Sequence, residues 1–299
     1  MAKMKIEISE TSKKEMQYTW HLIKQSRLAL IGLILVLVLV FFAIFGPFLV
    51  PHDPLEVNYA EELSPPSWAH PLGTDHHGRD LLSRVMAGTR ISFTVGMVVV
   101  ALSLLIGGAL GILAGFFGGL IDEVIMRGMD MVMSFPDLVL AMAIMAAIRD
   151  PLKGYSIDPL ICCMIAIATV TIPRYARLLR GQALSLKDTD FVESAKAVGC
   201  SNLRLMLAHI LPNCLAPLMV QATMTLGSAV LTAAGLSFLG LGAQPPTPEW
   251  GAICVEGRNF LPDYWWISTF PGLAILLFVL AFNLLGDGLR DVLDPSLRR

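Results

Sequence analysis

His70, Asp75, His76, His77 and Asp80 crowd into one short stretch, and imidazole and carboxylate ligands this close in sequence are the raw material of a divalent-metal site. The same stretch holds Gly73, Gly78 and Arg79, which favour a tight turn in which Asp75 or Asp80 pairs with an arginine. The turn is the reading adopted, and no metal is expected. A second group, Glu123, Arg127, Asp130 and Asp137, stands among apolar residues, where ionisable side chains can couple transport to an ion. Glu123 with Arg127 (i, i+4) and Arg127 with Asp130 (i, i+3) can neutralise one another on a helix. Asp137, after Pro136, is left to face protein, water or a pathway, because facing lipid would cost ~3 kcal/mol. Nucleotide hydrolysis has no local machinery: a P-loop needs G-x-x-x-x-G-K-[ST], and the chain contains no Gly-Lys dipeptide. Cys162 and Cys163 are adjacent while Cys200, Cys214 and Cys254 are scattered, so the cysteines form neither a disulfide framework nor a CxxC pair.

The elements that must position these residues are dictated by composition. The 299 residues are 55% hydrophobic and only 15% charged, with a mean hydropathy of +0.66. That is too apolar for a soluble core. Residues 28–50, 91–120, 213–248 and 264–286 contain no Asp, Glu, Lys or Arg, and at ~1.5 Å per residue each can cross a hydrocarbon layer of roughly 30 Å. Residues 131–148 and 159–175 are weaker candidates, giving six predicted transmembrane helices in an all-α membrane protein. Six basic residues precede the first span and six more lie between Arg174 and Arg204, whereas residues 51–90 carry three against six carboxylates. By the positive-inside rule both termini are then cytoplasmic. No cleavable signal is expected, since residues 1–17 are polar and the first apolar run lacks a small-residue cleavage site. The expected organisation is a cytoplasmic tail (1–27), a first transmembrane helix (28–50), an extracytoplasmic loop (51–90), a five-helix core (91–288) with a cytoplasmic loop at 188–212, and a cytoplasmic tail (289–299).

That loop, around "FVESAKAVGCSNLRLMLAHILPN" at 191–213, has a soluble protein's vocabulary. Asp190 with Glu193 fits a capping box, Gly199 suits a left-handed helix end, Ser201 or Asn202 can cap a second short helix, and Pro212 lies where the chain turns back. Phe191, Val192, Ala195, Val198, Leu203, Leu205, Met206 and Leu207 are more apolar surface than two isolated turns should expose, which implies a partner or a headgroup layer. In the fifth span Gly227, Ser228 and Gly235, with several alanines, permit close helix approach at an interface or along a path. Trp250, Glu249, Trp265 and Trp266 are expected at the outer interface, as a belt or a docking surface.

The order Glu193, Ser194, Ala195, Gly199 and Leu211-Pro212 resembles the E-A-A-x3-G-x9-I-x-L-P loop of ABC-importer permeases, with Ser194 for the middle alanine and His209 where the pattern has isoleucine. "LGTDHHGRDLLSR" (Gly73, Thr74, Asp75, Gly78, Arg79, Asp80, Ser83, Arg84) is similar to the signature of C-type, DppC/OppC-like subunits of dipeptide, oligopeptide, glutathione and nickel importers. "LSFLGLGAQPPTPEWG" and the stretch from 270 to 295 match as well. The resemblance implies the type I ABC-importer permease fold, with Glu193 to Pro212 as the coupling loop on an ATPase. It also implies a B-type sibling permease, two ABC ATPases that bind ATP and Mg, an extracytoplasmic substrate-binding protein, and a bacterial or archaeal inner membrane. No cofactor is expected on this chain and no nucleic acid among its partners. Di- or oligopeptides are the implied cargo, with nickel and glutathione as alternatives and an ion-coupled secondary transporter as the rival class.

Overall fold

The computed structural model describes residues 26–149 and 157–293. Residues 1–25, with Lys3, Lys5, Lys13, Lys14 and Lys24, lie outside the described residues, as do residues 150–156 and 294–299. The described chain is helical, and its one β feature is an isolated bridge between Thr74 and Asp80. Helix α1 (Arg27–Leu49) begins where the Ser26 hydroxyl accepts from the Ala29 amide at 3.3 Å. It is apolar all round and mostly exposed, as a lipid-facing helix must be.

After the 50–80 loop, α2 (Leu81–Phe117) runs the length of the bundle. Its helix starts ten residues before the apolar run at 91, because Asp80 caps it, so residues 81–90 are helix rather than loop. Helices α3 (Gly119–Met133) and α4 (Asp137–Ile148) follow, bent by 95° across Ser134 to Pro136. The predicted third span at 131–148 is therefore not one straight helix. Pro136 forces the break, since it lacks an amide hydrogen and biases the residue before it away from helix.

Helix α5 (Pro159–Leu186) starts at Asp158, whose side chain accepts from the Leu160 amide at 2.7 Å. Then come α6 (Asp190–Ala197), a compound turn through residue 214, α7 (Leu215–Phe238), α8 (Trp250–Arg258) and α9 (Trp266–Leu293). Among the described residues five helices are long and apolar enough to cross a membrane, and six if the bent α3–α4 pair is one crossing.

The most extensive packing is between α2 and α5, and its geometry explains why. Gly107, Gly111 and Gly115 recur at four-residue spacing on α2. A methyl group at Gly111 would stand 2.3 Å from the Ala176 carbonyl oxygen, and one at Gly107 2.5 Å from that of Ile172. The two backbones are in contact, the small-x-x-x-small solution for helices whose association in lipid lacks a hydrophobic drive.

Candidate functional site

At one end of the bundle α6 and the following turn form the hairpin. Helix α6 ends in a Schellman motif: the Cys200 amide donates to the Ala195 carbonyl at 3.1 Å and the Gly199 amide to that of Lys196 at 2.9 Å. Gly199 takes φ +88°, which a β-carbon resists. Ser201 then caps the next turn through the Arg204 amide at 3.4 Å.

Two local expectations change. The capping box at Asp190 and Glu193 does not form, because Thr189 takes the N-cap position and its hydroxyl donates back to the Leu186 carbonyl. Pro212 does not stop the second helix either. A π-turn at Leu205–Ile210 and a 3-10 turn at Leu211–Cys214 absorb the missing amide, and the helix continues into α7. His209 is half-buried in that π-turn, and its carbonyl accepts from the Asn213 side chain at 2.6 Å.

The apolar side chains of the hairpin divide into two sets. Val192, Leu205, Met206 and Ile210 are buried against Ile112 of α2 and Tyr175, Leu179 and Ala183 of α5. Phe191, Val198, Leu203 and Leu207 point away and are 42%, 86%, 62% and 55% exposed. Glu193 and Ser194 are exposed beside them, Ala195 is half-buried, and a β-carbon at Gly199 would meet no described atom within 4 Å. The partner-facing set is thus about half of the one read from sequence, because the rest backs the hairpin onto the bundle.

The opposite end carries a buried charge knot. Asp75 accepts from Arg79 Nε at 2.7 Å and lies 3.1 Å from Arg84 Nη1. Glu256 of α8 accepts from Arg79 at 2.6 Å and from Arg84 at 2.9 Å. Arg84 and Asp75 are fully buried, so two positive charges are balanced by two negative ones out of water. The turn that delivers Asp75 requires Gly73 (φ +80°) and Gly78 (φ +71°); at Gly78 a β-carbon would collide with the Asn58 carbonyl. Thr74 donates to the Glu61 carbonyl, while its own carbonyl accepts from Trp266 Nε1 at 3.1 Å. Asp80 pairs with no arginine among the described residues. It caps α2 through the Ser83 amide at 2.8 Å and hydroxyl at 2.6 Å, and its other oxygen lies 2.9 Å from His70 Nδ1. Burial depresses the His70 pKa, but hydrogen bonds to Asp80 and Glu61 outweigh it and hold the ring above its ordinary value. Burial, seconded by the neighbouring His77, pushes His76 the other way.

Trp250, Glu249 and Trp266 do not face outward but are buried. Trp250 is buried with its indole donating to the Val85 carbonyl at 2.9 Å, Glu249 caps α8, and Trp266 holds the loop; Trp265 is 51% exposed.

Between the two ends, three carboxylates of α3 and α4 face three arginines of α5: Asp122 with Arg180, Asp130 with Arg177 (2.6 Å) and Asp137 with Arg174. Glu123 and Arg127 pair as expected at 3.7 Å, but Asp130 turns to α5 instead of Arg127. In α7, Gly227 packs on Val279 of α9, Gly235 looks toward Leu138, and Ser228 donates back to the Thr225 carbonyl. Glu256 escaped the sequence reading for want of any local signal, since its partner Arg79 is 177 residues away. The Gly107, Gly111 and Gly115 repeat was readable.

Long apolar helices around a small-residue seam, with a backed hairpin offering an apolar face at one end, define the membrane domain of a transporter. Solved structures share this fold. An inward-facing crystal form of the MetNI methionine ABC transporter aligns with a TM-score of 0.56 at 19% identity, covering 71% of this chain and 97% of that one. An amino acid ABC transporter aligns at 0.52 and 14%, covering 68% and 91%. Residues 107–299 match the binding-protein-dependent transport system inner membrane component family, and residues 15–66 match the N-terminal TM domain of oligopeptide transport permease C.

The chain belongs to the binding-protein-dependent transport system inner membrane component family and is a multi-pass inner-membrane permease component. It is 45% identical to the dipeptide transport system permease protein DppC of Haemophilus influenzae, over 96% of this chain and 97% of that protein. It is 47% identical to the probable D,D-dipeptide transport system permease protein DdpC of Escherichia coli, over 92% and 90%. It is also 46% identical to a di/tripeptide transport system permease protein of Pseudomonas aeruginosa, over 93% and 91%.

Proposed function

We propose that the chain is one permease subunit of an ATP-driven, binding-protein-dependent importer of di- or oligopeptides. The relatives named as dipeptide and di/tripeptide permeases support the cargo class. A B-type sibling completes the translocation path, two partner ATPases bind ATP and Mg and hydrolyse the nucleotide, and a binding protein delivers cargo at the charge-knot end, which faces outward. Both termini and the hairpin lie in the cytoplasm.

The observation that carries this reading is the exposed row Phe191, Val198, Leu203 and Leu207 on a hairpin whose other face is buried on α2 and α5. Water-exposed apolar side chains on a rigidly backed projection call for a partner groove, and burying each contributes about 1.5–3 kcal/mol. ATPase closure pushes on that row, and the backing transmits the push to α2 and α5. Glu193, Ser194, Ala195, Gly199, His209, Leu211 and Pro212 shape the contact; Asp137, Gly227, Ser228 and Gly235 are assigned to the path or the sibling interface.

The test is Leu203→Ser with Leu207→Ser, which leaves the hairpin backbone intact. Membrane insertion should be unchanged, co-purification of ATPases should fall at least ~100-fold, as expected for losing two such contacts, and peptide uptake should cease. Normal uptake by the inserted variant would sink the assignment. Nickel uptake that is unaffected by competing peptides would overturn the cargo class alone.

A further inference from the structure

Three chain segments converge at the charge-knot end and bring two imidazoles and a carboxylate around one point. His52 follows α1, His70 lies in the loop and Asp80 caps α2, and one ligand atom from each lies within 4.8 Å of the others. His70 Nδ1 is 2.9 Å and His52 Nδ1 3.9 Å from the same oxygen, Asp80 Oδ1. The outer contacts fix these atoms in place. Asp80 Oδ2 is taken by the Ser83 amide and hydroxyl, and His70 Nε2 faces Glu61 Oε2 at 3.2 Å. A carboxylate behind the far nitrogen of a histidine is the arrangement that orients metal-binding imidazoles.

The surroundings favour a cation. The three ligands line a cavity of about 110 Å³ together with Asp53, Glu56 and Glu61, and neither Lys nor Arg lines it. The neighbouring Asp75, His76 and His77 group lacks this advantage. There the carboxylate is already engaged by Arg79 and Arg84, whose charges would oppose an incoming ion. Imidazole with carboxylate selects zinc-like ions over magnesium or calcium.

We propose that this pocket binds one divalent transition cation of the zinc class through His52 Nδ1, His70 Nδ1 and Asp80 Oδ1, fastening the end of α1 and the loop to the start of α2. This departs from the turn-only reading of the sequence. Bonds of about 2.0–2.2 Å can bridge ligand atoms at most ~4.3 Å apart, so the histidines need close by no more than about half an ångström. His52, with its side chain 41% exposed, is free to do so.

The experiment uses the full chain in lipid nanodiscs, carrying no histidine tag and stripped with chelator, without ATP or binding protein, so that cargo handling and ATPase docking play no part. Zinc sulfate titrated by calorimetry should bind with a stoichiometry of one, and magnesium chloride should not bind or compete. His52→Gln should weaken zinc binding by about tenfold or more without changing the melting temperature, and His76→Gln should leave it unchanged. Absence of saturable one-to-one binding would overturn the proposal. So would His52→Gln binding like the parent, or loss of binding in His76→Gln. Because His52 is the most exposed ligand, its variant keeps the test decisive even where His70→Gln fails to fold.

Discussion

Replacing Glu256 by Gln keeps the shape of the charge knot and removes one of its four charges. Arg79 and Arg84 each donate to the same Glu256 oxygen, at 2.6 and 2.9 Å, and the side chains of Asp75, Arg79, Arg84 and Glu256 are all at most 9% exposed. The variant leaves two guanidinium groups sharing Asp75 alone, a net buried positive charge. Losing one partner of such a pair costs about 3–5 kcal/mol, most of it from the charge left unpaired. Arg84→Met in the same background removes the surplus charge and leaves Asp75 with Arg79 at 2.7 Å. The double variant should therefore recover about half of the loss or more, an interaction energy of at least ~1.5 kcal/mol. Denaturant unfolding in mild detergent, followed by the fluorescence of Trp250 and Trp266, reads both. A loss under about 1 kcal/mol for Glu256→Gln, or strict additivity with Arg84→Met, would refute the view that the four groups act as one neutral unit.

Other perturbations test separate parts of the same structure. Gly111→Ala should destabilise the protein by about 1–3 kcal/mol, because its methyl must displace the Ala176 backbone 2.3 Å away, whereas Gly181→Ala, with open space around it, should gain up to about 1 kcal/mol of helix propensity; thermal melts of the pair should move in opposite directions. His76 has a folded pKa below its unfolded value of about 6.5, so its contribution is fully present above pH 6.5 and is lost as pH falls toward the folded pKa. Unfolding measured between pH 5 and 8 should show that acid-side loss, and His76→Gln should flatten it. Gly199→Val, forced to φ +88°, should strain the hairpin by about 1–2 kcal/mol and lower ATPase-coupled uptake while membrane insertion stays intact; uptake and membrane-fraction blots would show whether those two separate.

What the sequence made legible follows the range of the forces involved. The apolar runs, the left-handed Gly199, the Ser201 cap and the tight turn at Gly73 and Gly78 are local consequences of residue type, and each was readable. Helix limits were less so. Apolar runs mark where lipid lies, not where a helix begins, and α2 starts at Leu81 because Asp80 offers a cap well outside the run. The thirteen residues after Ser201 read as a short helix with a proline stop, since nothing local announces that a π-turn will let Pro212 ride within a continuing helix. Long-range partners were invisible. Asp75 calls for an arginine, but Glu256 comes from another helix, and Asp130 prefers Arg177 to the arginine one turn away. Trp250 and Trp266 read as interface aromatics because the donor role of an indole becomes apparent only when a carbonyl such as that of Val85 or Thr74 is brought beside it.

The two ends of the bundle differ in a way that bears on how a push at the hairpin travels. Val192, Leu205 and Ile210 rest on Tyr175 and Leu179 of α5 and Ile112 of α2, and from there the backbones of α2 and α5 touch along Gly115, Gly111 and Gly107. Close-packed contact of this kind has little slack, so the hairpin, α2 and α5 respond as one body. Helix α3 buries no residue of its own and is held to α5 differently, through Asp122 with Arg180 and Asp130 with Arg177, the latter pair 47–56% exposed, whereas α4 packs Ala141 and Met145 into the core beside Cys162 and Ile167 of α5. Exposed ion pairs on long side chains are weak and tolerate sliding. At the far end, α2 is locked by its first turn to α8 through Arg84 and Glu256, and to the loop through Asp75 and Asp80. A displacement entering at Leu203 and Leu207 is therefore carried by the α2–α5 body to that locked end. The polar rungs to α3, which lacks any buried residue, are the place where the bundle can yield.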